Sequence, residues 1–283
     1  MVEANKGFVD SWCLDTTCAY EHNYNSSLVT DNFRNVGPYI LFGDINNPLK
    51  IMCYGGSTTS SITGSRWAEL LYQLLKDDGV DACVLNGGVG GYNSWAELNK
   101  MMRDLPVFQP NIVLSYSGLN DMPGTAHINP KNPYINGYYV DEILKIAKFK
   151  GGLHYPLHRE DHAGVWLTRS QQMSAICNIQ NIHFMRILQP SLGYGSYAFD
   201  MNDPIDKELS AETKATPLSM SLRYFYTKIK ADERLNRLDF IYDYTLNFDG
   251  LSRLFNDFRH PNKNGYLLIA SSIKDDLKRA NAL

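Results

Sequence analysis

Three side chains far apart in this 283-residue chain could together carry out nucleophilic chemistry on an acyl group: Ser57, Asp257 and His260. A serine hydroxyl is a weak nucleophile until a neighbouring base takes its proton. Imidazole titrates near neutrality and suits that task, so His260 is the natural base. A carboxylate on the other ring nitrogen holds one tautomer and steadies the imidazolium. In "DFRH" (257–260), Asp257 stands three residues upstream and can reach back to the ring within a turn. Attack on a carbonyl also builds an oxyanion, which needs donors already in place. The backbone N–H groups of Ser57 and Gly91 and the side-chain amide of Asn120 are candidates for that role.

These residues need a scaffold that brings residue 57 to residue 260. From Leu49 onward, short apolar runs alternate with segments of helical period. Leu49–Tyr54, Ala82–Leu85, Ile112–Tyr116, the run in "IHFMRILQP" and Phe240–Tyr242 read as five strands. Between them, apolar residues recur at helical spacing. One set is Trp67, Leu70, Leu71, Leu74 and Leu75; another is Trp95, Leu98, Met102 and Leu105, which Pro106 is expected to stop. Further helices are expected over 168–181, around Leu222 to Ile229, and over 262–279. Alternation of this kind predicts an α/β fold: a flavodoxin-like, three-layer α/β/α sandwich on a five-stranded parallel sheet. Ligands of such sheets bind outside the carboxyl ends of the strands. The first three strands run into "GGSTTSS" (55–61), "NGGVGGYNS" (86–94) and "SGLND" (117–121), and "DFRH" follows the fifth. The topology therefore places all four segments on one edge.

Each segment alone is a weak signal; in order and at strand ends they form a pattern. Together they resemble the sequence blocks of the SGNH (GDSL-like) hydrolase superfamily of esterases and acylhydrolases. "GGSTT" resembles the nucleophile block, "NGGVGGYNS" the block whose glycine matches Gly91, "GLND" the Gly-x-Asn-Asp block, and "DFRHPNKNGYLLIA" the Asp-x-x-His block with its helix. The resemblance spans about 49–121 and 180–280. It implies Ser57, Asp257 and His260 as the triad, Ser57, Gly91 and Asn120 as the oxyanion hole, and no metal or organic cofactor. One departure stands out: Gly56 occupies the position where the family usually has aspartate. Residues 1–48 read as an N-terminal extension packed on the main domain (49–283), with insertions at about 122–165 and 191–217.

The remaining features mostly exclude. A net charge of −3 with no basic stripe gives no footprint for nucleic acid. No apolar run approaches the roughly 18 residues of a membrane span. The start lacks the basic and apolar regions of a signal peptide, so the chain reads as cytoplasmic, although one trimmed of its leader would read the same. Five cysteines do not make a disulfide framework; only Cys13 and Cys18 are close enough in sequence for a local pair. "GGVGG" fails G-x-G-x-x-G, and neither a phosphate loop nor G-x-S-x-G occurs. In "HREDH" (158–162), Arg159 stands where H-E-x-x-H needs glutamate, which favours a solvated turn over a metal site.

The expected substrate is a small-molecule or carbohydrate ester. The polar, tyrosine-rich insertions (Tyr134, Tyr138, Tyr139, Tyr155, Tyr194, Tyr197) favour a short acyl group on a sugar over a lipase substrate, although packing is the usual reason for such rings. Transfer to a sugar hydroxyl, hydrolysis of longer acyl esters or thioesters, and carbohydrate binding without catalysis are the alternatives.

Overall fold

A computed structural model describes residues 39–60, 66–122, 161–213 and 216–283 with their side chains. It also gives the backbone of five short strands, β1 (Trp12–Asp15), β2 (Ala19–His22), β3 (Arg34–Val36), β8 (Ile128–Asn129) and β9 (Asn132–Asn136). The other strands are β4 (Tyr39–Phe42), β5 (Leu49–Gly55), β6 (Ala82–Asn86), β7 (Ile112–Ser117), β10 (His183–Leu188) and β11 (Ile241–Asp243). The main sheet runs β11-β10-β7-β5-β6-β4-β3, and β1-β2 and β8-β9 form separate two-stranded pieces.

The five expected strands are all present and mutually parallel, β5 through β7 at the centre and β10 and β11 to one side. The expected count of five is corrected to seven, because β4 adds antiparallel to β6 and β3 antiparallel to β4. The added strand β4, "YILF", is buried at all four positions. It converts the exposed edge of β6 into an interior position, where the ladder bonds of β6 are satisfied on both sides.

Side chains of β5 alternate between two cores. Ile51 and Cys53 join one, with Trp67, Leu71, Tyr266, Ile269 and Ile273; Met52 and Tyr54 join the other, with Leu98, Met101, Leu105, Met173 and Cys177. That alternation, with both faces covered, is why the central strands read as continuous apolar runs. The first core is covered by α1 (Trp67–Asp77) and α6 (Lys263–Arg279), which pack on each other. The second is covered by α2 (Ser94–Phe108) and α3 (His162–Ile179), also in contact. Helix α4 (Pro204–Glu212) lies in the second insertion and α5 (Pro217–Ala231) follows it.

Two helix expectations need adjustment, and one helix is additional. Helix α2 does not stop at Pro106 but continues through it to Phe108. Proline removes only the bond to the carbonyl of Met102, a residue on the exposed face and within reach of solvent. Helix α3 begins at His162, six residues before the expected start, because the Asp161 side chain caps it by accepting from Gly164 N (2.9 Å). Helix α4 was not expected; its signature is Asp203 as N-cap followed by Pro204 at the first turn.

No helix among the described residues is long and apolar enough to cross a membrane. Tyr134, Tyr138, Tyr139 and Tyr155, the question of a Cys13–Cys18 pair, and His158 to Glu160 of "HREDH" lie outside the residues described with side chains. Cys53, Cys83 and Cys177 are buried free thiols.

Candidate active site

Strand β5 ends at Gly55, and the chain turns so that the N–H groups of Thr59 and Ser60 both bond the Gly56 carbonyl (3.0 and 3.1 Å). Ser57 sits within that turn. A side chain at Gly55 would strike Thr59 and the Tyr116 carbonyl, and its φ is +155°. Only glycine therefore fits where the strand passes this closely beneath the next loop.

The loop after β6 lies directly against this turn. Val89 N donates to Gly55 O (2.9 Å), Gly87 N to Cys53 O (2.8 Å), and Asn86 Nδ2 to Thr59 O (2.7 Å). The loop then passes Gly91, with φ +80°, and reaches Tyr92, whose carbonyl accepts from Asn120 Nδ2 (2.8 Å). Asn120 stands on the single 3-10 turn, Leu119–Asp121, that follows β7. Its amide nitrogen lies 2.5 Å from where a Cβ on Gly56 would be. Asn120 thus abuts the backbone immediately before Ser57.

The fourth segment arrives from the far end of the chain. Ser57 Oγ is 2.7 Å from His260 Nε2. On the other side of the ring, Nδ1 is 2.8 and 3.0 Å from the two oxygens of Asp257. A carboxylate facing Nδ1 requires the proton there, which leaves Nε2 to accept from the serine hydroxyl. Asp257 Oδ1 also accepts from the backbone N–H groups of Arg259 (2.8 Å) and His260 (2.9 Å), so the turn itself sets the carboxylate against the ring. Partial burial works to raise the Asp257 carboxyl. The hydrogen bonds and charge from His260, with the Arg259 and His260 amides, outweigh it and hold the group at about 2. It stays ionised throughout the working range of an imidazole base.

The structure thus joins Ser57, His260 and Asp257 by direct hydrogen bonds, and sets Asn120 against Gly56. Gly91 is one residue from the carbonyl that holds Asn120. Tyr194 and Tyr197 of the second insertion are committed to packing: Tyr194 meets Tyr226 edge-on at 5.1 Å, and Tyr197 meets Phe199 at 4.9 Å and Phe255 at 5.5 Å.

A buried polar layer behind these loops has no counterpart in the sequence reading. Asp121, next to Asn120, accepts from Ser94 N (3.0 Å) and Ser94 Oγ (2.5 Å), tying the turn after β7 to the end of the loop that carries Gly91. Burial pushes its carboxyl up, and nearby Glu97 adds to the rise; Arg186 and the Ser94 hydrogen bonds oppose it, leaving it at about 6. Arg186 bonds Glu97 Oε2 (2.5 Å), and neither side chain is exposed at all. The guanidinium also bonds Ser115 and Ser170 and lies over the Trp166 ring, 4.9 Å from its centre. The available signal was "GLND" itself, where a second polar residue follows Asn120 into a buried turn.

No protein-family model matches this chain, and no curated protein does. Among solved structures, similarity extends to an acetylxylan esterase from Geobacillus stearothermophilus, at 14% identity and TM-score 0.49 over 83% of this chain and 95% of that one. A lipase/acylhydrolase from Enterococcus faecalis matches at 14% identity and TM-score 0.48, over 82% of this chain and 96% of that one. The psychrotrophic esterase EstA from Pseudoalteromonas sp. matches at 17% identity and TM-score 0.47, over 83% of this chain and 99% of that one.

Proposed function

We propose that this chain is a serine esterase of the SGNH type that hydrolyses carboxylic esters through an acyl-enzyme. The observation that carries the reading is the Ser57–His260–Asp257 relay, assembled from segments 203 residues apart with both hydrogen bonds already short. Ser57 Oγ attacks the ester carbonyl while His260 Nε2 takes its proton. The tetrahedral intermediate collapses as the imidazolium returns that proton to the leaving alcohol. Water then attacks the acyl carbon as His260 removes its proton, and the imidazolium returns that proton to Ser57 Oγ as the acyl–oxygen bond breaks and the acid leaves. Asp257 balances the imidazolium charge at each stage. The Ser57 and Gly91 amides and the Asn120 side chain are assigned to the oxyanion, and the second amide hydrogen of Asn120 has no partner among the described residues.

The finer reading is a short acyl group on a carbohydrate. It rests on the polar composition of the 122–165 insertion. Assay of p-nitrophenyl acetate against longer-chain esters, with Ser57→Ala as control, tests the class. Acetylated sugars, with and without an acceptor sugar, separate hydrolysis from transfer. Absence of both turnover and serine-directed labelling would remove the esterase reading, and a preference for long chains would remove the finer one.

Gly56 gives the oxyanion assignment its own test. A methyl group at this position would sit 2.5 Å from the Asn120 amide nitrogen, so Asn120 must swing away. Gly56→Ala is expected to lower kcat by about 10²–10³-fold, as loss of one oxyanion donor does. KM should be nearly unchanged, since the donor matters most once charge has developed. Asn120→Ala with wild-type kcat would show that Asn120 is not a donor, whereas wild-type kcat in Gly56→Ala alone would show that the Asn120 amide relocates around the added Cβ.

A further inference from the structure

We infer that the second insertion serves as the brace of the catalytic loop, with Asp206 and Tyr197 as its positioning residues. The inference rests on the proposed role of Asp257 and His260. The loop that carries them, 253–262, is not held by the sheet: β11 ends at Asp243, and α6 begins at Lys263. Its neck is instead closed by two sets of bonds. From one side, Asn262 Nδ2 donates to Arg253 O (2.7 Å) and Asn262 N to Leu254 O (2.8 Å). From the other, the insertion receives the N–H groups of the same two residues. Arg253 N donates to Asp206 Oδ2 (2.9 Å), and Leu254 N to Tyr197 Oη (2.8 Å).

Asp206 is fully buried and its carboxylate accepts three hydrogen bonds. Besides Arg253 N, it accepts from Asp200 N (2.9 Å) and from the Tyr197 hydroxyl (3.1 Å). Tyr197 therefore donates to Asp206 while accepting from Leu254. Partial burial and the nearby carboxylate push its phenol up to about 12 against the opposing Leu254 N–H, so the donated proton stays in place. The contacts continue to the tip of the loop. The Tyr197 ring packs edge-on against Phe255, and Ser191 Oγ donates to the Phe258 carbonyl (3.2 Å), one residue from Asp257. Arg253 has φ +55°, a left-handed conformation that a non-glycine residue holds only where its surroundings fix it. Asp206 fixes its N–H, Asn262 fixes its carbonyl, and Asp200 pairs with its guanidinium.

A loop held this way can be displaced without being unfolded. Misplacement by about 1 Å costs on the order of 10²-fold in rate when the displaced group does the chemistry. The test measures kcat, KM and the pH dependence of kcat/KM for p-nitrophenyl acetate in wild type, Asp206→Asn and Tyr197→Phe, with Ser57→Ala as the control for the site. Asp206→Asn is expected to lower kcat by about 10–100-fold with KM within about twofold. The acid limb of the profile should move to lower pH, because an imidazole held less firmly to Asp257 loses support for its protonated form. Tyr197→Phe removes a single hydroxyl and should shift the same quantities in the same direction by less. If Asp206→Asn does not fold, Tyr197→Phe decides alone. A folded variant with wild-type kcat and pH profile overturns the brace while leaving the esterase intact. A wild-type protein with neither turnover nor labelling of Ser57 overturns the esterase reading and this inference together.

Discussion

Replacing Ser57 with alanine is expected to reduce ester turnover by about 10⁴-fold or more, with folding intact. The size follows from the geometry. Ser57 Oγ is the atom within 2.7 Å of the base, so its removal leaves His260 with only water to activate. Residual rate over water then comes from the donors that bind the oxyanion and from substrate binding, neither of which Ser57→Ala removes entirely. Groups that act as one unit are strongly non-additive. His260→Ala should therefore cost about as much as Ser57→Ala, and the double variant no more than either alone. Asp257→Asn should cost less, about 10²–10⁴-fold, because its side chain is 56% exposed and water can solvate the ring in its place. Steady-state kinetics on an activated ester, with fluorophosphonate labelling of Ser57, checks all four. Additive losses in the double variant would mean that Ser57 and His260 do not act in one step.

Most parts of this site that were legible in the sequence share a cause. Ser57, Gly91 and Asn120 each closely follow a strand whose period is readable, and a parallel sheet delivers such positions to one edge, whereas Asp257 and His260 were legible from their Asp-x-x-His spacing ahead of the last helix. The reason for the glycines around Ser57 was not readable: Gly55 and Gly56 stand where a side chain would occupy space taken by Tyr116 O, Thr59 or Asn120, all contacts made in the fold. Strand β4 left a trace in the apolar run "YILF" between Pro38 and Gly43, hidden by the polar, Asn-rich sequence around it. Arg186, Glu97 and Asp206 were not legible. Each owes its place to partners distant in sequence, 89 residues for Arg186 and Glu97 and 47 for Asp206 and Arg253. No local propensity encodes such a pairing. A charged residue inside an apolar strand, as in "HFMRIL", says only that something must neutralise it.

Arg186 carries the second large effect, on stability. Arg186→Met is expected to destabilise the fold by about 3–5 kcal/mol at pH 8, because it leaves Glu97 buried without its counter-charge and strips Asp121 of a favourable one. Burial already raises both carboxyls, and Arg186 restrains both. The pH dependence fixes the sign. Asp121 lies at about 6 in the folded protein against a reference of 3.8, so between those values the folded state binds more protons than the unfolded one. Stability from this group is then fully present in acid and declines as pH rises through about 6, by roughly 3 kcal/mol in all. Without Arg186 both carboxyls rise further, and they can escape the penalty only by staying protonated. The loss caused by Arg186→Met should thus be larger at pH 8 than at pH 5, as read by urea unfolding at the two values. Adding Glu97→Gln to Arg186→Met should recover part of the loss at pH 8 and little at pH 5, since it removes a charge that acid already neutralises. An equal loss at both pH values would mean that Arg186 contributes through its packing on Trp166 rather than by balancing the carboxylates behind the site.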